Sequence, residues 1–180
     1  MGSDNPTGAD NQQETPKLKS SLDPNWVVGF VDGEGCFSVS VHRNGIIRRT
    51  KGWQLQPTFQ VYQHEACGHI LDELVRFFGC GSIRPKGPRS SVLTYSVWAL
   101  ATLEEQILPF FEEYALLVKQ PDFSRFAEIV RSMRRKEHLE AEGFERLVRL
   151  AFDMNANGKQ RARPLEEILG GSSETVRQAL

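Results

Sequence analysis

Apolar residues along the chain follow two different periods, and the first helical stretch comes early. Residues 24–31 carry apolar side chains at helical spacing, and Asp23 before Pro24 is a favourable N-cap and first-turn pair. A second helical stripe covers residues 70–78, and Gly79 closes it. The pattern therefore predicts helices at these two places.

Between and after these helices the period drops to two. Residues 36–43 and 54–63 alternate apolar with polar side chains, as strands with one polar face do, and Asn44-Gly45 between them is a hairpin signal. Pro57 has no N–H for a ladder hydrogen bond, which indicates an edge or bulged position in the second strand. Two shorter strands are predicted further along, near residues 81–85 and 92–100.

The order of these elements is helix, two strands, helix, two strands and further helices. It predicts an α+β domain of the pattern αββαββα, in which an antiparallel, saddle-shaped sheet carries helices on one face and polar side chains on the other. A chain of 180 residues suits one such domain, which we assign to residues 21–180. Residues 1–20 are polar without an apolar period, so we expect a disordered N-terminal tail there.

Two carboxylates, Asp32 and Glu34, lie where the first helix should end, at Gly33 or Gly35. Carboxylates in a last turn face the negative end of the helix dipole, at a cost of about 0.3–1 kcal/mol each that a neighbouring cation would reverse. Gly29 and Gly33 stand one turn apart, and each lowers helix stability by about 1 kcal/mol relative to alanine. The usual reason for glycine at such positions is close approach of a second helix. The segment indicates metal-binding acids held at an interface. The alternative is an ordinary helix–turn–strand junction with both acids in solvent.

Residues 27–35, Val-Val-Gly-Phe-Val-Asp-Gly-Glu-Gly, resemble the motif of the LAGLIDADG homing endonucleases position by position, and Cys36-Phe37 continues the match. A less dense resemblance extends from about residue 25 to residue 180, and residues 173–177 resemble the end of the chloroplast single-motif branch. Only one copy of the motif is present, so the resemblance implies a homodimer whose second chain supplies the other active-site helix. We expect the interface to contain Trp26, Gly29, Phe30 and Gly33.

The resemblance also implies the chemistry, a magnesium-dependent, intron-encoded endonuclease that cuts both strands of a long, pseudo-palindromic DNA site. Glu34 matches the metal-binding carboxylate and the Gly33 carbonyl an auxiliary ligand, and oxygen ligands suit Mg²⁺. Gln63 matches the residue that orients the water network, and Lys119 matches the basic residue at the cleaved phosphate. This chain has Cys67 where that branch carries an arginine, which is a departure from the family's basic network.

Charge is distributed unevenly along a chain whose formal net charge is only −1. Residues 36–64 and 79–103, which hold the predicted strands, contain no aspartate or glutamate. Such a basic strand face would suffice for phosphate binding, and glutamine and arginine suit adenine and guanine edges in the major groove. The alternative is chance clustering on solvated strands. Candidates for DNA contact are His42, Arg43, Arg48, Arg49, Lys51, Gln54, Gln56, Gln60, Arg84, Lys86, Arg89, and, from a basic loop near the C terminus, Arg161 and Arg163.

Cysteine usage and hydropathy limit the other possibilities. Cys36, Cys67 and Cys80 form no metal-ligand pattern, and we interpret them as small core residues. Their odd number without a signal peptide fits a reduced intracellular protein, in a bacterial or archaeal cytoplasm or an organelle. No apolar stretch approaches the length of a membrane span.

Two other functional classes stay open. The same fold without cleavage could act as an RNA maturase that helps intron RNA to fold, or as a non-cleaving DNA-binding protein. A metal-independent structural domain would leave both the acid pair and the acid-free strands unexplained.

Overall fold

The structure is a computed structural model, and it describes residues 20–45, 50, 52–154 and 163–173. Helix α1 (Pro24–Glu34) leads directly into strand β1 (Gly35–Arg43), which pairs with β2 (Trp53–His64). Helix α2 (His69–Phe78) and strands β3 (Ser82–Pro85) and β4 (Val92–Val97) follow. The rest is helical: α3 (Leu100–Thr102), a π-helical stretch (Leu103–Ile107), α4 (Leu108–Glu113), α5 (Gln120–Arg134), α6 (Ala141–Asp153) and α7 (Leu165–Ser173). The predicted order αββαββα is confirmed, and most of the predicted N-terminal tail lies outside the described residues.

Helix α1 begins as its sequence predicts. The Asp23 carboxylate accepts the backbone N–H of Asn25 at 2.9 Å and of Trp26 at 3.2 Å, and Pro24 occupies the first turn. The helix continues through Gly33 and ends at Gly35. A Cβ on Gly35 would lie 2.6 Å from the Val31 carbonyl oxygen, so the chain can turn into β1 this tightly only with glycine.

The four strands form one antiparallel sheet in the order β1-β2-β4-β3. Strands β1 and β2 pair from Gly35 with Val61 to Arg43 with Trp53. Residues 44–52 connect them, so the hairpin that Asn44-Gly45 indicates is present. The Asn44 N–H donates to the Gly52 carbonyl at 2.6 Å, directly beyond the last strand pair.

Pro57 lies in an interior strand, yet at a locally open edge. Strand β4 pairs only with residues 59–64 of β2, so the first half of β2 has β1 on one side and no strand of the described residues on the other. Pro57 pairs with Val39 in unbroken register, without a bulge. Its missing N–H is tolerated because that half of β2 is an edge.

The core lies between one face of the sheet and the helices. Phe37 of β1 and Phe59 of β2 stack with ring centroids 5.0 Å apart, and Phe111 of α4 packs edge-on against both rings. Helices α1 and α5 contact β1 and β2, and α2 contacts β3 and β4. Buried residues alternate along β2 from Trp53 to Val61, which leaves Gln54, Gln56 and Gln60 on the opposite face. The α+β class with helices on one face is confirmed.

Two further expectations have different outcomes. All three cysteines are free thiols, and Cys36 and Cys80 are half-buried, but Cys67 is exposed in the 3₁₀ turn Glu65–Cys67 that links β2 to α2. The core interpretation of Cys67 is therefore wrong, because no residue of this turn is buried. Among the described helices, none combines the length and apolar character that a membrane crossing requires.

Candidate active site and nucleic-acid interface

A lysine ammonium group occupies the carboxyl end of α1. Lys119 Nζ donates to the carbonyl oxygen of Val31 at 3.2 Å, to that of Asp32, and to that of Gly33 at 3.3 Å. Carbonyls of a last helical turn carry the negative end of the helix dipole and lack full intrahelical pairing. The cation that the two acids of α1 require is thus present within the chain.

The Asp32 carboxylate is fully engaged with the backbone before α5. Its Oδ2 accepts the N–H of Leu117 at 2.7 Å, and its Oδ1 accepts those of Val118 at 3.2 Å and Lys119 at 3.0 Å. Desolvation raises the pKa of Asp32, but these three hydrogen bonds and the nearby Lys119 charge together lower it below its usual value. Asp32 therefore binds protein and is not free to bind a metal.

Glu34 has the opposite environment. Its side chain is exposed, and its carboxylate makes no hydrogen bond or ion pair with any described residue. It follows Gly33, whose carbonyl faces the Lys119 ammonium. A carboxylate and a backbone carbonyl are oxygen donors of the kind Mg²⁺ takes, and Mg²⁺ keeps waters and substrate phosphates as its remaining ligands. The described residues contain no cluster of three or more histidine, cysteine or acidic side chains that could hold a metal ion.

Gln63 lies at the same end of the sheet. Gly35 pairs with Val61, so Gln63 is two residues further along β2, level with the junction of α1 and β1. Its Oε1 accepts the backbone N–H of His64 at 2.8 Å. The structure thus brings the sequence-predicted Glu34, Gln63 and Lys119 to one end of the molecule, with Cys67 exposed in the turn that follows.

The polar face of the sheet carries the candidate base-reading side chains. The register places His42, Gln54, Gln56, Gln60 and Arg84 on this face. A hydrogen-bonded chain orients one of them: the Tyr62 hydroxyl donates to Gln60 Oε1 at 2.8 Å, and Gln60 Nε2 donates to Ser96 Oγ at 3.3 Å. Sequence reasoning missed Tyr62 and Ser96. The alternation that places Gln60 on the polar face also contains Tyr62, which was the available signal.

Arginines of the helices and of the strands differ in their partners. In the described residues no carboxylate pairs with the exposed Arg84, Lys86 or Arg89, and Lys86 Nζ lies 4.7 Å from the centroid of the Tyr62 ring. Ion pairs with acids are made instead by Arg76, Arg125, Arg131, Arg134, Arg135, Arg146, Arg149 and Arg163. The segregation of charge inferred from the sequence therefore leaves uncompensated cations beside the polar face.

Some candidates for DNA contact are placed elsewhere. Arg43 pairs with Trp53 and lies over its ring, 4.3 Å from the centroid, on the face of the sheet that the helices cover. It points away from the glutamines because strand residues alternate and Arg43 follows His42. Arg163, which precedes α7 in the chain, forms an ion pair with Glu167 of that helix at 2.7 Å. The remaining candidates lie outside the described residues: Arg48, Arg49, Lys51 and Arg161.

One side of α1 is apolar and open. Trp26, Gly29, Phe30 and Gly33 recur at helical spacing on this side, and the rings of Trp26 and Phe30 stack at 4.9 Å. A Cβ built on either glycine meets nothing within 4 Å in the described chain. Beside this stripe, Leu117 and Val118 are 89% and 75% exposed. Leu117 and Val118 were not predicted to lie at this surface, although both are apolar and directly precede Lys119 in the sequence.

Comparisons with known proteins agree with this arrangement. Residues 27–130 match the family model described as LAGLIDADG endonuclease. The probable intron-encoded endonuclease 3 of Neurospora crassa is 35% identical over 133 residues, which are 72% of this chain but only 24% of that protein. This chain therefore spans about a quarter of that relative's length.

Two solved structures match over nearly their whole length. The homing endonuclease I-TnaI is 36% identical with a TM-score of 0.75, over 83% of this chain and 97% of that one. The archaeal intron-encoded homing endonuclease I-Vdi141I, solved in complex with DNA, is 27% identical with a TM-score of 0.74, over 82% of this chain and 92% of that one. The resemblance of residues 27–35 and the fold are confirmed, and the chain belongs to the LAGLIDADG endonuclease family.

Proposed function

We propose that this protein is a site-specific homing endonuclease that makes magnesium-dependent double-strand breaks in a long, pseudo-palindromic DNA site as a homodimer. The observation that carries the proposal is that the end of α1 holds both a Glu34 carboxylate without a partner among the described residues and a Lys119 ammonium group fixed by backbone carbonyls. An ordinary helix–turn–strand junction would need neither the free carboxylate nor the fixed ammonium group. Phosphodiester hydrolysis needs both an acid for a metal and a cation for the developing negative charge.

The homodimer is supported by the apolar side chains that one chain leaves exposed around α1. Among described residues only four large hydrophobic side chains are exposed, and Trp26, Leu117 and Val118 are three of them, grouped around α1. Apolar side chains left in water beside two glycines favour a second α1 packed against the first. The two-fold axis would then bring a Glu34 from each protomer to the same region, one for each DNA strand.

Within each site the residues have separate tasks. Glu34 and the Gly33 carbonyl would hold Mg²⁺, which supplies water activation and charge neutralisation when bound. Lys119 holds positive charge where the scissile phosphate must enter, and Gln63 orients water from the end of β2. The polar face of the sheet would follow the major groove, with Arg84, Lys86 and Arg89 on phosphates. The DNA complex of I-Vdi141I supports DNA as the ligand.

The decisive experiment is cleavage of a plasmid library that carries intron-insertion-type sites, in Mg²⁺ and in Ca²⁺. We expect double-strand cuts at one site in Mg²⁺, and we expect Glu34→Gln to lower the cleavage rate by about 10³-fold or more while DNA binding persists. Glu142→Gln is the matched control, because Glu142 is an exposed acid in the first turn of α6.

Two outcomes would contradict the proposal. A Glu34→Gln variant that cuts like the wild type would remove Glu34 from the site. Binding without cuts under every condition would favour the maturase or the non-cleaving DNA-binding protein, and intron RNA would become the next ligand to test.

A further inference from the structure

Asp32 and Lys119 hold each other through their backbones as well as their side chains. The Asp32 carboxylate accepts the N–H groups of residues 117–119, and the Lys119 ammonium donates back to the Asp32 carbonyl. We call residues 116–119 the strap. Its other end is also fixed, because the Leu116 N–H donates to Gln120 Oε1 at 3.0 Å. The strap is thus tied to both α1 and α5.

We propose that Asp32 is a positioning residue, which holds the strap against α1 so that the Lys119 ammonium stays at the carboxyl end of that helix beside Glu34. The inference rests on the proposed endonuclease function for its kinetic consequence. Asp32 acts through Lys119 and touches neither metal nor DNA in this role.

The physical need for such a residue follows from the lysine side chain. Four rotatable bonds separate its ammonium group from the backbone, and about 2 kcal/mol of rotamer entropy opposes holding it in one place. Three carbonyl oxygens of α1 attract the ammonium group only if the Lys119 Cα lies within reach. Asp32 fixes that Cα, because it binds the backbone N–H of Lys119 and of the two residues before it.

Side-chain burial holds only the first residue of the strap. Leu116 is buried in the core, whereas Leu117 and Val118 are 89% and 75% exposed, so packing within this chain does not fix the two peptide groups before Lys119. Because α5 begins at Gln120, the N–H groups of residues 117–119 make no helical hydrogen bonds, and the Lys119 carbonyl accepts only the first bond of that helix, from the Phe123 N–H at 2.9 Å. The carboxylate of Asp32 therefore supplies the bonds that orient these three peptide groups, and charge-assisted bonds of this kind are about twice as strong as neutral ones.

The rival interpretation is that Asp32 only stabilises the fold. Both interpretations predict a less stable Asp32→Asn variant, because an amide oxygen accepts less strongly and its NH₂ group would face N–H donors. They differ in the dependence on Lys119. A purely structural role acts on cleavage whether or not Lys119 is present, whereas a positioning role disappears with the side chain that is positioned.

The test is a double-mutant cycle on single-turnover cleavage at saturating protein, with DNA affinity measured separately in Ca²⁺. We expect Asp32→Asn to slow cleavage about tenfold or more and to change the DNA dissociation constant less than about threefold. In a Lys119→Met background the same substitution should change cleavage less than about twofold. Asp72→Asn, at an exposed acid in the first turn of α2, is the control for loss of one negative charge.

Equal effects of Asp32→Asn in the two backgrounds would overturn the inference. If that variant fails to fold, Asp32→Glu replaces it in the cycle, since it keeps the charge and displaces the carboxylate by one methylene. Amide hydrogen exchange on the DNA-free protein gives an independent result: exchange at residues 117–119 should accelerate in the variant, with the sheet unchanged. A wild type that does not cleave would contradict the endonuclease. Unchanged exchange at the strap would contradict the role of Asp32 alone.

Discussion

At the scale of single residues, neighbouring polar groups of similar chemistry have distinct tasks. Asp32 and Glu34 are two positions apart on α1, yet Asp32 accepts three backbone N–H groups and Glu34 accepts none from the described residues. Each helix position is rotated about 100° from the one before it, so side chains two positions apart point in nearly opposite directions. Asp32 therefore points toward the strap and Glu34 toward solvent. An acid with bound donors is committed to structure, and an acid without them is available to a cation.

Hydrogen-bond partners also determine the orientation of Gln60 on the polar face of the sheet. Burial, and then the nearby Cys36, raises the pKa of the Tyr62 hydroxyl, so this group stays a neutral donor to Gln60 Oε1 at physiological pH. With Nε2 directed at Ser96, the Gln60 amide has a fixed orientation. A glutamine reads adenine through both ends of its amide, so its orientation determines which base it prefers.

Tyr62→Phe should therefore relax base preference at one position of each half-site. Loss of the hydroxyl frees the Gln60 amide to rotate, and we expect discrimination at that position to fall by about fivefold or more while preference elsewhere is unchanged. The measurement is binding to a set of targets with single base-pair substitutions. Tyr114→Phe at the end of α4 is the matched control. A uniform loss of affinity over all targets would contradict this role of Tyr62.

At the scale of elements, sequence periodicity was sufficient where residues interact locally. Helix α1, its Asp23 cap, the αL glycine Gly79 after α2 and the alternation along β1 and β2 all depend on near neighbours in the chain. The strap could not be predicted in this way. Asp32 and Lys119 are 87 positions apart, and only packing of α5 on the sheet brings them together.

Arg43 illustrates a different limit of the sequence. Alternation along a strand identifies its two faces. The contacts of a side chain near the end of the paired region also depend on which residue the partner strand places opposite it. Trp53 is buried opposite Arg43 and offers its ring to the guanidinium group. Residue type alone placed Arg43 with the DNA-contacting arginines, and the register of β1 and β2 moves it to the other face.

The connection between α5 and α6 contains a histidine whose charge should affect stability. His138 lies in the 3₁₀ turn Glu137–Leu139, and its buried Nδ1 has no partner among the described residues. Desolvation lowers the pKa of His138 below its usual value, so the folded protein binds this proton less readily than the unfolded chain. Its contribution to stability is complete above pH 6.5 and is lost as pH falls from there through the folded-state pKa.

Urea denaturation of wild type and His138→Gln at about pH 7.5 and about pH 5.5 tests this expectation. The wild type should lose more of its unfolding free energy between the two pH values than the variant, which has no proton to take up. His69→Gln, at an exposed histidine that begins α2, is the control. Identical losses in wild type and His138→Gln would contradict the assignment.

At the scale of the whole molecule, the distribution of charge matters more than its sum. Acids and arginines of the helices neutralise one another in pairs, as Arg146 does with Glu128 and Glu137. Cations beside the polar face, such as Arg84 and Arg89, have no acid partner among the described residues. A net charge of −1 is therefore compatible with a surface that attracts phosphate. We propose the exposed apolar surface on α1 as a second interaction face.

A substitution at Gly29 tests whether the exposed apolar surface of α1 is a dimer interface. Gly29→Leu should convert a dimer into monomers, because a side chain would occupy the space into which the second α1 packs. The single chain itself tolerates the change, since a Cβ at Gly29 meets nothing within 4 Å in the described residues. Within a helix, alanine is better than glycine by about 0.8–1 kcal/mol, and leucine ranks next after alanine. A monomer should therefore remain folded, and its own thermal stability should not fall below that of monomeric wild type.

Analytical ultracentrifugation with a thermal melt separates the outcomes. Sedimentation as a folded monomer, combined with loss of double-strand cleavage, supports an interface through α1. Gly87→Leu is the matched control, because a Cβ there also meets nothing within 4 Å but Gly87 lies in the turn between β3 and β4, away from α1. An undisturbed dimer in the Gly29→Leu variant would place the interface elsewhere, and the exposed Leu117 and Val118 would then need another partner.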